Sequence, residues 1–418
     1  MKLPDGWKYI KLSDIGNISK GSGIKREDSN SGTIPAVRYG ELYTSHNDYI
    51  KEFYSFISEK VAEESVLLKK GDLLFTCSGE TKEDIGKCAA FVSDCKAYAG
   101  GDLIIFSPKV PCDSKFLGFL CNSYSINKQR YRYAQGDSVV HISTESIANL
   151  KITFPPLAEQ QKITEILCKQ DKIIFLKQKL LEQKLQQKKW LMQKLLEVPH
   201  SNANCEEKVS LCGVVINKSK WKRDSLGNLG DFSKGSGIKR EEANSGKIPA
   251  IRYGEIYTVH NEYIKIFYSF ISNDVAKQSK LLKNGDLLFS CSGETKEDIG
   301  KCVAFVFNCE AYAGGDVIIL SPKVAIDSMF FGFFLNSAFV NKQRFEFAQG
   351  DSIVHISSES LSKIKIYLPS LPEQKIIAQV LSTADKEIAL LKSSIEQEKQ
   401  KKKSLAQLLL TGTVRVKI

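Results

Sequence analysis

Two long segments of the chain carry apolar residues in a heptad pattern. They follow Pro156 and Pro372 and have no internal proline or glycine. Proline and an acidic residue at a first turn favour a helix start, and the seven-residue spacing predicts coiled-coil helices of about 40 residues, or ~60 Å. The predicted seam residues are Ile163, Leu167, Ile174, Leu181, Leu191 and Leu195 in the first segment, and Ile377, Leu381, Ala384, Ile388, Leu391, Ile395, Leu405 and Leu409 in the second. Lys177, Lys184, Lys188 and Lys402 also fall on the seam, which predicts imperfect packing there.

The rest of the chain has a different pattern, in which short apolar runs alternate with glycine, asparagine, aspartate and serine. Residues 72–77 and 102–107 are two such runs, and each predicts a strand. Residues 114–124 are apolar at helical spacing and predict a helix. The pattern therefore predicts compact α/β (α+β) globules of about 150 residues.

The sequence contains a long internal repeat. Trp7–Leu196 matches Trp221–Leu410 at a constant offset of 214 positions without a gap, and residues 78–88 are identical to residues 292–302. A repeat this long indicates a duplicated module and not a solenoid. The predicted divisions are a first globule at 1–154, a first long helix at 155–198, a linker at 199–220, a second globule at 221–368, and a second long helix with a C-terminal tail at 369–418.

The two helices can pair within the chain or join separate chains. Because the second globule lies between them in sequence, we expect an internal antiparallel pair, which would relate the two copies by a pseudo-two-fold axis. The alternative is an oligomerisation coiled coil between chains.

Composition narrows the class of protein. The chain has 418 residues and a formal charge of +11, from 59 basic and 48 acidic residues. Such an excess suits an anionic partner, most often nucleic acid, or serves solubility alone. We expect a cytoplasmic protein, because no signal peptide or membrane span is visible and the eleven cysteines form no Cys-x-x-Cys pair or zinc motif. Six of these cysteines are predicted to be small core residues: Cys77, Cys88, Cys95, Cys291, Cys302 and Cys309.

Several motifs recur in both copies and together carry a resemblance. The helix starts read Phe154-Pro155-Pro156-Leu157-Ala158-Glu159-Gln160 and Leu368-Pro369-Ser370-Leu371-Pro372-Glu373-Gln374. Further marks are the strand Gly71–Phe75 followed by Ser78-Gly79, its mate from Gly285, and the helix ends at 193–196 and 407–412. Over nearly its whole length, the chain resembles the specificity subunit of type I restriction–modification enzymes.

The resemblance implies a subunit without catalytic residues, cofactor or metal of its own. It implies that each globule is a target recognition domain that reads half of a bipartite site in double-stranded DNA. The helices would act as a spacer and dock adenine-methyltransferase (M) subunits that bind S-adenosylmethionine, while a restriction (R) subunit would use ATP and Mg. Family members generally carry two dissimilar recognition domains, whereas here the two are close copies. We therefore expect a nearly palindromic, interrupted target.

The candidate DNA-binding residues lie in polar loops that occur twice and combine cations, amides, hydroxyls and aromatic rings, the groups that contact phosphates and base edges. In the first copy they are Lys20, Ser22, Lys25, Arg26, Arg38, Tyr39, Glu41, Ser78, Lys82, Lys87, Gln135, Ser138 and His141. In the second copy they are Lys234, Ser236, Lys239, Arg240, Arg252, Tyr253, Glu255, Ser292, Lys296, Lys301, Gln349, Ser352 and His355.

Each candidate has a plainer alternative. The loop from Lys20 can be a solvated turn, and Arg38 with Glu41 can form a buried ion pair instead of reading a base pair. The histidines can be hydrogen-bonded structural residues. Arg132 corresponds to Glu346, a charge reversal that would alter DNA contact or would merely be tolerated at the surface.

Two other functional classes remain as alternatives. Asp72 with Glu80 and Lys82, repeated at Asp286, Glu294 and Lys296, resembles the metal-binding set of a Mg-dependent DNA nuclease. A coiled-coil scaffold without DNA function is the other. Phe154-Pro155-Pro156-Leu157 is similar to the proline-containing element of adenine methyltransferases, but it lacks the amide before the prolines and the aromatic residue after them.

Overall fold

A computed structural model describes residues 3–79, 81–82, 85–136, 140–198, 208–211, 214–348 and 354–418. The chain divides into two compact units. Unit 1 contains Met1–Lys179 and Ser393–Ile418, and unit 2 contains Leu180–Lys392. Each unit therefore combines one globule with part of each long helix. Candidate residues Ser138, Gln349 and Ser352, and Glu80 of the nuclease alternative, lie outside the described residues.

The globule of unit 1 is built on two four-stranded sheets. Its strands are β1 (Lys8–Lys11), β2 (Gly16–Lys20), β3 (Ile34–Val37), β4 (Ser55–Ile57), β5 (Val66–Leu67), β6 (Leu73–Thr76), β7 (Ser78–Gly79), β8 (Cys88–Ala90), β9 (Tyr98–Ala99), β10 (Leu103–Pro108), β11 (Val140–His141) and β12 (Lys151–Phe154). One sheet has the order β2-β10-β6-β8 and is antiparallel. The other has the order β4-β3-β9-β5 and contains one parallel pair, β3 with β9. Two further antiparallel pairs are β1 with β12 and β7 with β11.

Strand β10 is buried on both faces and therefore joins two cores. Ile104 and Phe106 point into a large cluster with the helix residue Phe116, while Leu103 and Ile105 point into a second cluster. This is the two-residue alternation of a strand, with apolar side chains on both sides. The continuous apolar run that predicted a strand is thus explained by burial on two faces.

The helices of unit 1 are short, apart from the long helix. They are α1 (Tyr39–Thr44), α2 (Glu59–Glu63), α3 (Ser114–Cys121), α4 (Tyr124–Tyr133), α5 (Thr144–Ala148) and the first part of α6 (Leu157–Leu196). The single helix predicted over 114–124 is wrong at its end. Helix α3 stops before Asn122, whose side chain accepts from the Cys88 backbone N–H at 2.9 Å and donates to the Cys88 carbonyl at 2.7 Å. This exchange fixes the chain reversal between α3 and α4.

Unit 2 repeats this plan. Its strands are β13 (Lys208–Leu211), β14 (Val214–Asn217), β15 (Lys222–Ser225), β16 (Gly230–Lys234), β17 (Ile248–Ile251), β18 (Ser269–Ile271), β19 (Lys280–Leu281), β20 (Leu287–Ser290), β21 (Ser292–Gly293), β22 (Cys302–Ala304), β23 (Tyr312–Ala313), β24 (Val317–Pro322), β25 (Val354–His355) and β26 (Lys365–Leu368). Its helices are α7 (Tyr253–Thr258), α8 (Asn273–Lys277), α9 (Ser328–Phe334), α10 (Ala338–Phe347), α11 (Ser358–Ser362) and the first part of α12 (Leu371–Leu410). The sheet orders are β16-β24-β20-β22 and β18-β17-β23-β19. The α/β prediction and the internal repeat are confirmed.

A β-hairpin precedes the second globule. Strands β13 and β14 pair antiparallel, with Lys208 opposite Asn217. The sequence analysis predicted only a linker over 199–220, so this element was missed.

The long helices α6 and α12 each contain 40 residues, as predicted, and they pair antiparallel within each unit. In unit 1, Asp171 of α6 contacts Lys402 of α12, and six residues further along α6, Lys177 contacts Glu398 at 2.8 Å. In unit 2, Lys184 of α6 contacts Glu387 at 2.7 Å, and Lys188 contacts Asp385. Partner numbers fall as the α6 numbers rise, which defines an antiparallel register. The seam lysines therefore form ion pairs between the helices.

One seam lysine in each unit also binds the globule. Lys402 Nζ lies 2.9 Å from Asp48 of the globule and 2.8 Å from Asp171 of α6. Burial lowers the pKa of Lys402, but the two carboxylates more than offset this effect and raise the pKa above its usual value. Each of the three charges comes from a different element, so the triad fastens the globule to both helices of its unit.

Unit 2 contains the equivalent triad. Lys188 Nζ lies 2.8 Å from Glu262 of the globule and 2.7 Å from Asp385 of α12. Lys265 adds a second cation 2.9 Å from Asp385. The anchoring chemistry is therefore the same in both units, although an aspartate in one copy is a glutamate in the other.

The cysteine prediction is only partly right. Cys88, Cys291 and Cys302 are buried, and Cys77 is half-buried, but Cys95 and Cys309 are exposed. Cys95 lies in the turn between strands β8 and β9, and Cys309 lies in the turn between β22 and β23. Apolar residues flank both cysteines in the sequence, but the turns themselves lie outside the core. In the described part of the chain, no helix has both the length and the apolarity needed to cross a bilayer.

Candidate nucleic-acid interface

The predicted loops leave the central sheet at one edge. Lys20, the last residue of β2, pairs with Ile104 of β10, and Thr76, the last residue of β6, pairs with Leu103. Because β10 runs antiparallel to both neighbours, the loops after β2 and β6 emerge side by side. Unit 2 has the same register, with Lys234 opposite Ile318 and Ser290 opposite Val317.

The glycine-containing loop after β2 is held by close backbone packing. A Cβ on Gly21 would lie 2.0 Å from the carbonyl oxygen of Gly100, so no larger residue fits. The Ser22 hydroxyl donates to the Glu64 carbonyl at 2.7 Å, and Ile24 buries its side chain with a left-handed φ of 48°. The loop is therefore a rigid turn. The cations that it leaves exposed are Lys20, Lys25 and Arg26 in unit 1, and Lys234, Lys239 and Arg240 in unit 2.

The Arg-Tyr-Gly-Glu motif is the start of a short helix. Glu41 is buried and accepts from the backbone N–H of Arg38 at 3.2 Å, and the Arg38 side chain forms an ion pair with it at 3.5 Å. Ser55 bonds both side chains. In unit 2, Arg252 and Glu255 pair at 3.4 Å. The carboxylates are thus turned inward, which favours the ion-pair alternative, while the rings of Tyr39 and Tyr253 stay 42% and 36% exposed.

Hydrogen bonds join this helix to the loop after β6 and to strand β11. The Tyr43 hydroxyl donates to the Ser78 carbonyl, and Lys87 Nζ donates to the Tyr43 carbonyl at 3.1 Å. The Ser78 hydroxyl lies 3.1 Å from His141 Nδ1, and strand β11 pairs with β7. Backbone hydrogen bonds in both directions connect Gln135 to His141. Three separate sequence segments therefore form one connected surface.

Unit 2 repeats the connection at matching distances. The Ser292 hydroxyl lies 3.0 Å from His355 Nδ1, and Lys301 Nζ donates to the Tyr257 carbonyl at 3.4 Å. Burial lowers the pKa of Lys301, and the nearby Glu262 and Asp298 oppose that shift. Lys87 and Lys301 thus face a carbonyl inside the domain, whereas Lys82 and Lys296 are exposed to solvent.

We call this region the sheet-edge surface. In unit 1 it consists of the described residues of segments 20–26, 38–43, 78–87 and 135–141, and in unit 2 of the described residues of segments 234–240, 252–257, 292–301 and 354–355. Its exposed groups include cations, amides, histidines and tyrosine rings, and in unit 2 also the carboxylates of Glu294 and Glu297. These suit phosphate contact and base contact in DNA.

The sequence analysis missed two pairs of buried polar residues beside this surface. His46 and His260 are each 3% exposed, and burial, reinforced by a neighbouring lysine, lowers the pKa of each to about 4. Arg130 and Arg344 are 2% and 3% exposed. All four residues are the same in both copies, and this identity could have marked them. They were not predicted because a charged residue in a polar stretch of sequence usually lies at the surface.

No support emerges for a metal-dependent nuclease. Among the described residues, no cluster of histidine, cysteine, aspartate and glutamate could hold a metal ion. Asp286 precedes strand β20 and is 3% exposed, where it accepts from Lys283 and Ser321, while Glu294 and Lys296 follow the strand's other end and are exposed. The strand separates the acidic groups that such a nuclease would have to bring together.

Two like α/β globules, each with a basic loop surface and each fastened to a pair of long helices, define a DNA-reading module built in duplicate. The family model described as "Type I restriction modification DNA specificity domain" matches residues 4–186 and again residues 218–400. The chain therefore belongs to the family of type I restriction–modification DNA specificity subunits. DNA sequence recognition is the function of that family, and the prediction from the sequence is confirmed.

Curated relatives and solved structures agree. The type I restriction enzyme MjaVIII specificity subunit of Methanocaldococcus jannaschii is 24% identical over 437 residues, which cover 100% of this chain and 95% of that protein. The putative MjaX specificity subunit of the same organism is 26% identical, with the same coverage. The S subunit of a type I system from M. genitalium has the same fold, with a TM-score of 0.57 at 15% identity and 98% coverage of both chains. The HsdS subunit from Thermoanaerobacter tengcongensis gives 0.51 at 17% identity, with 99% of each chain covered.

Proposed function

We propose that each recognition domain binds one half of an interrupted, nearly palindromic DNA sequence through its sheet-edge surface. The observation that carries the proposal is that the two surfaces are built from nearly the same residues and that equivalent contacts recur, such as Ser78–His141 and Ser292–His355. Segments 20–27 and 78–88 are identical in sequence to segments 234–241 and 292–302. Equal side chains on equal scaffolds present equal hydrogen-bonding groups, and so favour equal half-sites.

The antiparallel pairing of α6 and α12 supports opposite orientations for the two half-sites. The first domain is followed by a helix that runs against the helix following the second domain. Palindromic sites are read by two equivalent elements in opposite orientations, so antiparallel helices within each unit suit half-sites of opposite orientation. Exposed cations such as Lys25 and Arg26 would bind phosphates, and Tyr39, Gln135 and His141 would face the bases.

Mapping of methylated adenines in genomic DNA tests the proposal. Cells that express this chain with a cognate methyltransferase subunit should carry methylation at one interrupted motif whose two halves are reverse complements of each other. A matched strain with the chain deleted should lose that methylation. Two unrelated half-sites would contradict the proposal.

We further propose that the chain has no catalytic residues, cofactor or metal of its own and works through partners. Methylation would reside in M subunits that bind S-adenosylmethionine, and cleavage in an R subunit that uses ATP and Mg. The absence of a nuclease-like arrangement at the described residue Asp286 supports this division of labour.

A groove in each unit supports docking of an M subunit. In unit 2, a groove of about 760 Å³ lies between α6 and the start of α10, and its lining includes Met192, Phe339 and Lys189. In unit 1, a groove of about 460 Å³ lies between α12 and the start of α4, with Ala406 and Lys403 at the equivalent positions. Two equivalent grooves suit one partner bound twice, and the lysines suit an acidic partner surface.

A charge placed in each groove would test the docking site. Met192→Glu and Ala406→Glu should each remove one M subunit from the purified complex, and the double variant should remove both. Native mass spectrometry measures the stoichiometry. Leu408→Glu, at an exposed position of α12 outside the unit 1 groove, is the control. Unchanged stoichiometry in the double variant would contradict this docking site.

A further inference from the structure

A buried arginine lies beneath each sheet-edge surface. Arg130 belongs to α4 and Arg344 to α10, at equivalent positions of the repeat. Both are almost fully enclosed, at 2% and 3% exposure. Arginine is rarely enclosed to this degree without a carboxylate partner, so each side chain requires an explanation.

Both guanidinium groups bind the backbone of the loop after the central strand. Arg130 Nη1 donates to the Gly86 carbonyl, and its Nη2 donates to Asn127 Oδ1 of its own helix. Arg344 Nη2 donates to the Glu297 carbonyl at 3.3 Å. In each unit, therefore, the arginine reaches from a helix into the loop that follows Ser78 or Ser292.

The loop is shaped to receive the arginine. Gly86 and Gly300 adopt left-handed φ angles of 68° and 62°, which residues with a Cβ seldom adopt. A Cβ at either glycine would lie 2.9 Å from the Cδ atom of the arginine. The glycine N–H closes the loop onto the end of the central strand, at 3.0 Å from Thr76 O in unit 1 and 2.8 Å from Ser290 O in unit 2. The arginine stem and the loop glycine therefore pack directly against each other.

This arrangement is unfavourable for folding. Arg130 Nε and Arg344 Nε and Nη1 are buried without an acceptor among the described residues. Burial lowers the pKa of Arg344 to about 10, against the opposing effect of nearby anionic groups, and lowers the pKa of Arg130 in the same direction. An apolar side chain of similar length would avoid these unpaired donors. Retention of the arginine in both copies therefore points to a role other than stability.

We propose that Arg130 and Arg344 are positioning residues that hold the described residues of segment 78–87, and segment 292–301, in the conformation that reads DNA. The inference rests on the proposed function, because it assigns these loops to the DNA-contacting surface. Neither arginine touches DNA in this account. Each acts through the loop backbone, from which Lys82 or Lys296 projects into solvent.

Substitution by methionine separates positioning from structural support. Arg130→Met and Arg344→Met keep an unbranched apolar stem and remove the buried charge. We expect the thermal midpoint of the full-length chain to stay the same or rise. Affinity for a duplex carrying the methylated motif should fall about tenfold for each single variant, because one loop loses its set conformation. Affinity for a random duplex, and the salt dependence of binding, should not change, because no phosphate contact is removed.

Matched variants and a second measurement keep the test decisive. Lys128→Met and Lys342→Met remove an exposed cation from the same two helices and should leave the ratio of specific to random binding unchanged. Fluorescence anisotropy with both duplexes gives that ratio, and methylation mapping in cells gives the motif each variant still reads.

Two outcomes would overturn the inference. One is an unchanged specificity ratio in both arginine variants. The other is a drop in thermal midpoint large enough to account for the lost affinity, which would make the arginines ordinary core residues. Failure of the proposed function gives a different result, because the unmodified chain would then show no preference for the motif duplex.

Discussion

Units 1 and 2 differ at several interior positions but have identical loops after the central strand, at residues 78–88 and 292–302. Inside unit 1, Trp7 Nε1 donates to Glu159 at 3.1 Å, and Arg415 also binds that carboxylate. Inside unit 2, Trp221 Nε1 has no acceptor among the described residues, and Glu373 instead accepts from backbone N–H groups, including that of Asn217 at 3.0 Å. The same tryptophan position is thus held in two different ways.

The buried helices diverge as well. Leu117 and Leu120 of α3 correspond to Phe331 and Phe334, and all four are enclosed. The loop after the central strand has the same sequence in both units, because residues 78–88 and 292–302 are identical. Surface loops ordinarily vary more than cores, because they are not constrained by packing. The central strand residues Leu73–Phe75 and Leu287–Phe289 are identical as well, so the two units share both the strand and the loop that follows it.

The largest expected effect comes from removing the cations that we propose bind phosphate. We expect Lys20→Ala with Arg26→Ala in unit 1, and Lys234→Ala with Arg240→Ala in unit 2, each to weaken DNA binding by a similar factor of about ten. The quadruple variant should bind about 100-fold more weakly. Salt titration of the affinity should show a slope reduced by about 0.9 for each phosphate that the variant no longer neutralises. A large effect from one pair and none from the other would break the equivalence of the two units.

The next effect concerns the anchoring triads. Lys402→Met leaves Asp48 and Asp171 facing each other without a cation. Lys188→Met leaves Glu262 without its cation, while Asp385 keeps Lys265, so the effect in unit 2 should be the smaller one. Removal of one partner of a buried ion pair costs roughly 3–5 kcal/mol, and the residual exposure of these groups places the expected destabilisation near ~3 kcal/mol.

Hydrogen exchange resolved by peptide measures this destabilisation unit by unit. Lys402→Met should destabilise unit 1 alone, and Lys188→Met should destabilise unit 2 alone. Asp48→Asn added to Lys402→Met should restore part of the stability, because it removes one of the repelling charges. Equal destabilisation of both units by either single variant would contradict separate anchoring.

The smallest effect concerns the charge reversal at the end of α4 and α10. Arg132 and Glu346 are both exposed near the sheet-edge surface. If the two units bind DNA in the same way, Glu346→Arg should strengthen DNA binding by about two- to fivefold, and Arg132→Glu should weaken it by a similar factor. The effect is small because it comes only from screened, long-range attraction between the side chain and the DNA. The motif should stay the same in both variants. A changed motif would show that this position reads a base.

The sequence predicted the periodic features well. The heptad spacing of apolar residues is visible in the sequence and predicts the lengths of α6 and α12. The gapless repeat is visible in the same way and predicts two copies of the globule. The antiparallel pairing followed from the order of the elements. The hairpin of Lys208–Asn217 was missed, although Val209 and Leu211 and the run Val214–Ile216 are apolar on either side of Cys212-Gly213, because the whole segment between the two repeats was assigned to a linker.

The candidate site was predicted in part. Exposed cations such as Lys25 and Arg26 lie where the loop pattern placed them. The inward turn of Glu41 and the enclosure of Arg130 could not be read, because both depend on contacts with residues distant in sequence, Ser55 and Gly86. Burial of a charge is decided by tertiary packing, and a single sequence carries no local signal of it.

The triad built from Lys402, Asp48 and Asp171 limits how this subunit could be re-engineered. Only Asp48 belongs to the recognition domain. Asp171 and Lys402 belong to the long helices α6 and α12, so they would remain when that domain is exchanged. A foreign domain grafted in place of residues 1–154 must therefore bring an acid to this point, or the lysine must be altered with it. Compatibility between a new domain and the two helices therefore depends on this carboxylate as well as on contacts such as the Trp7–Glu159 hydrogen bond.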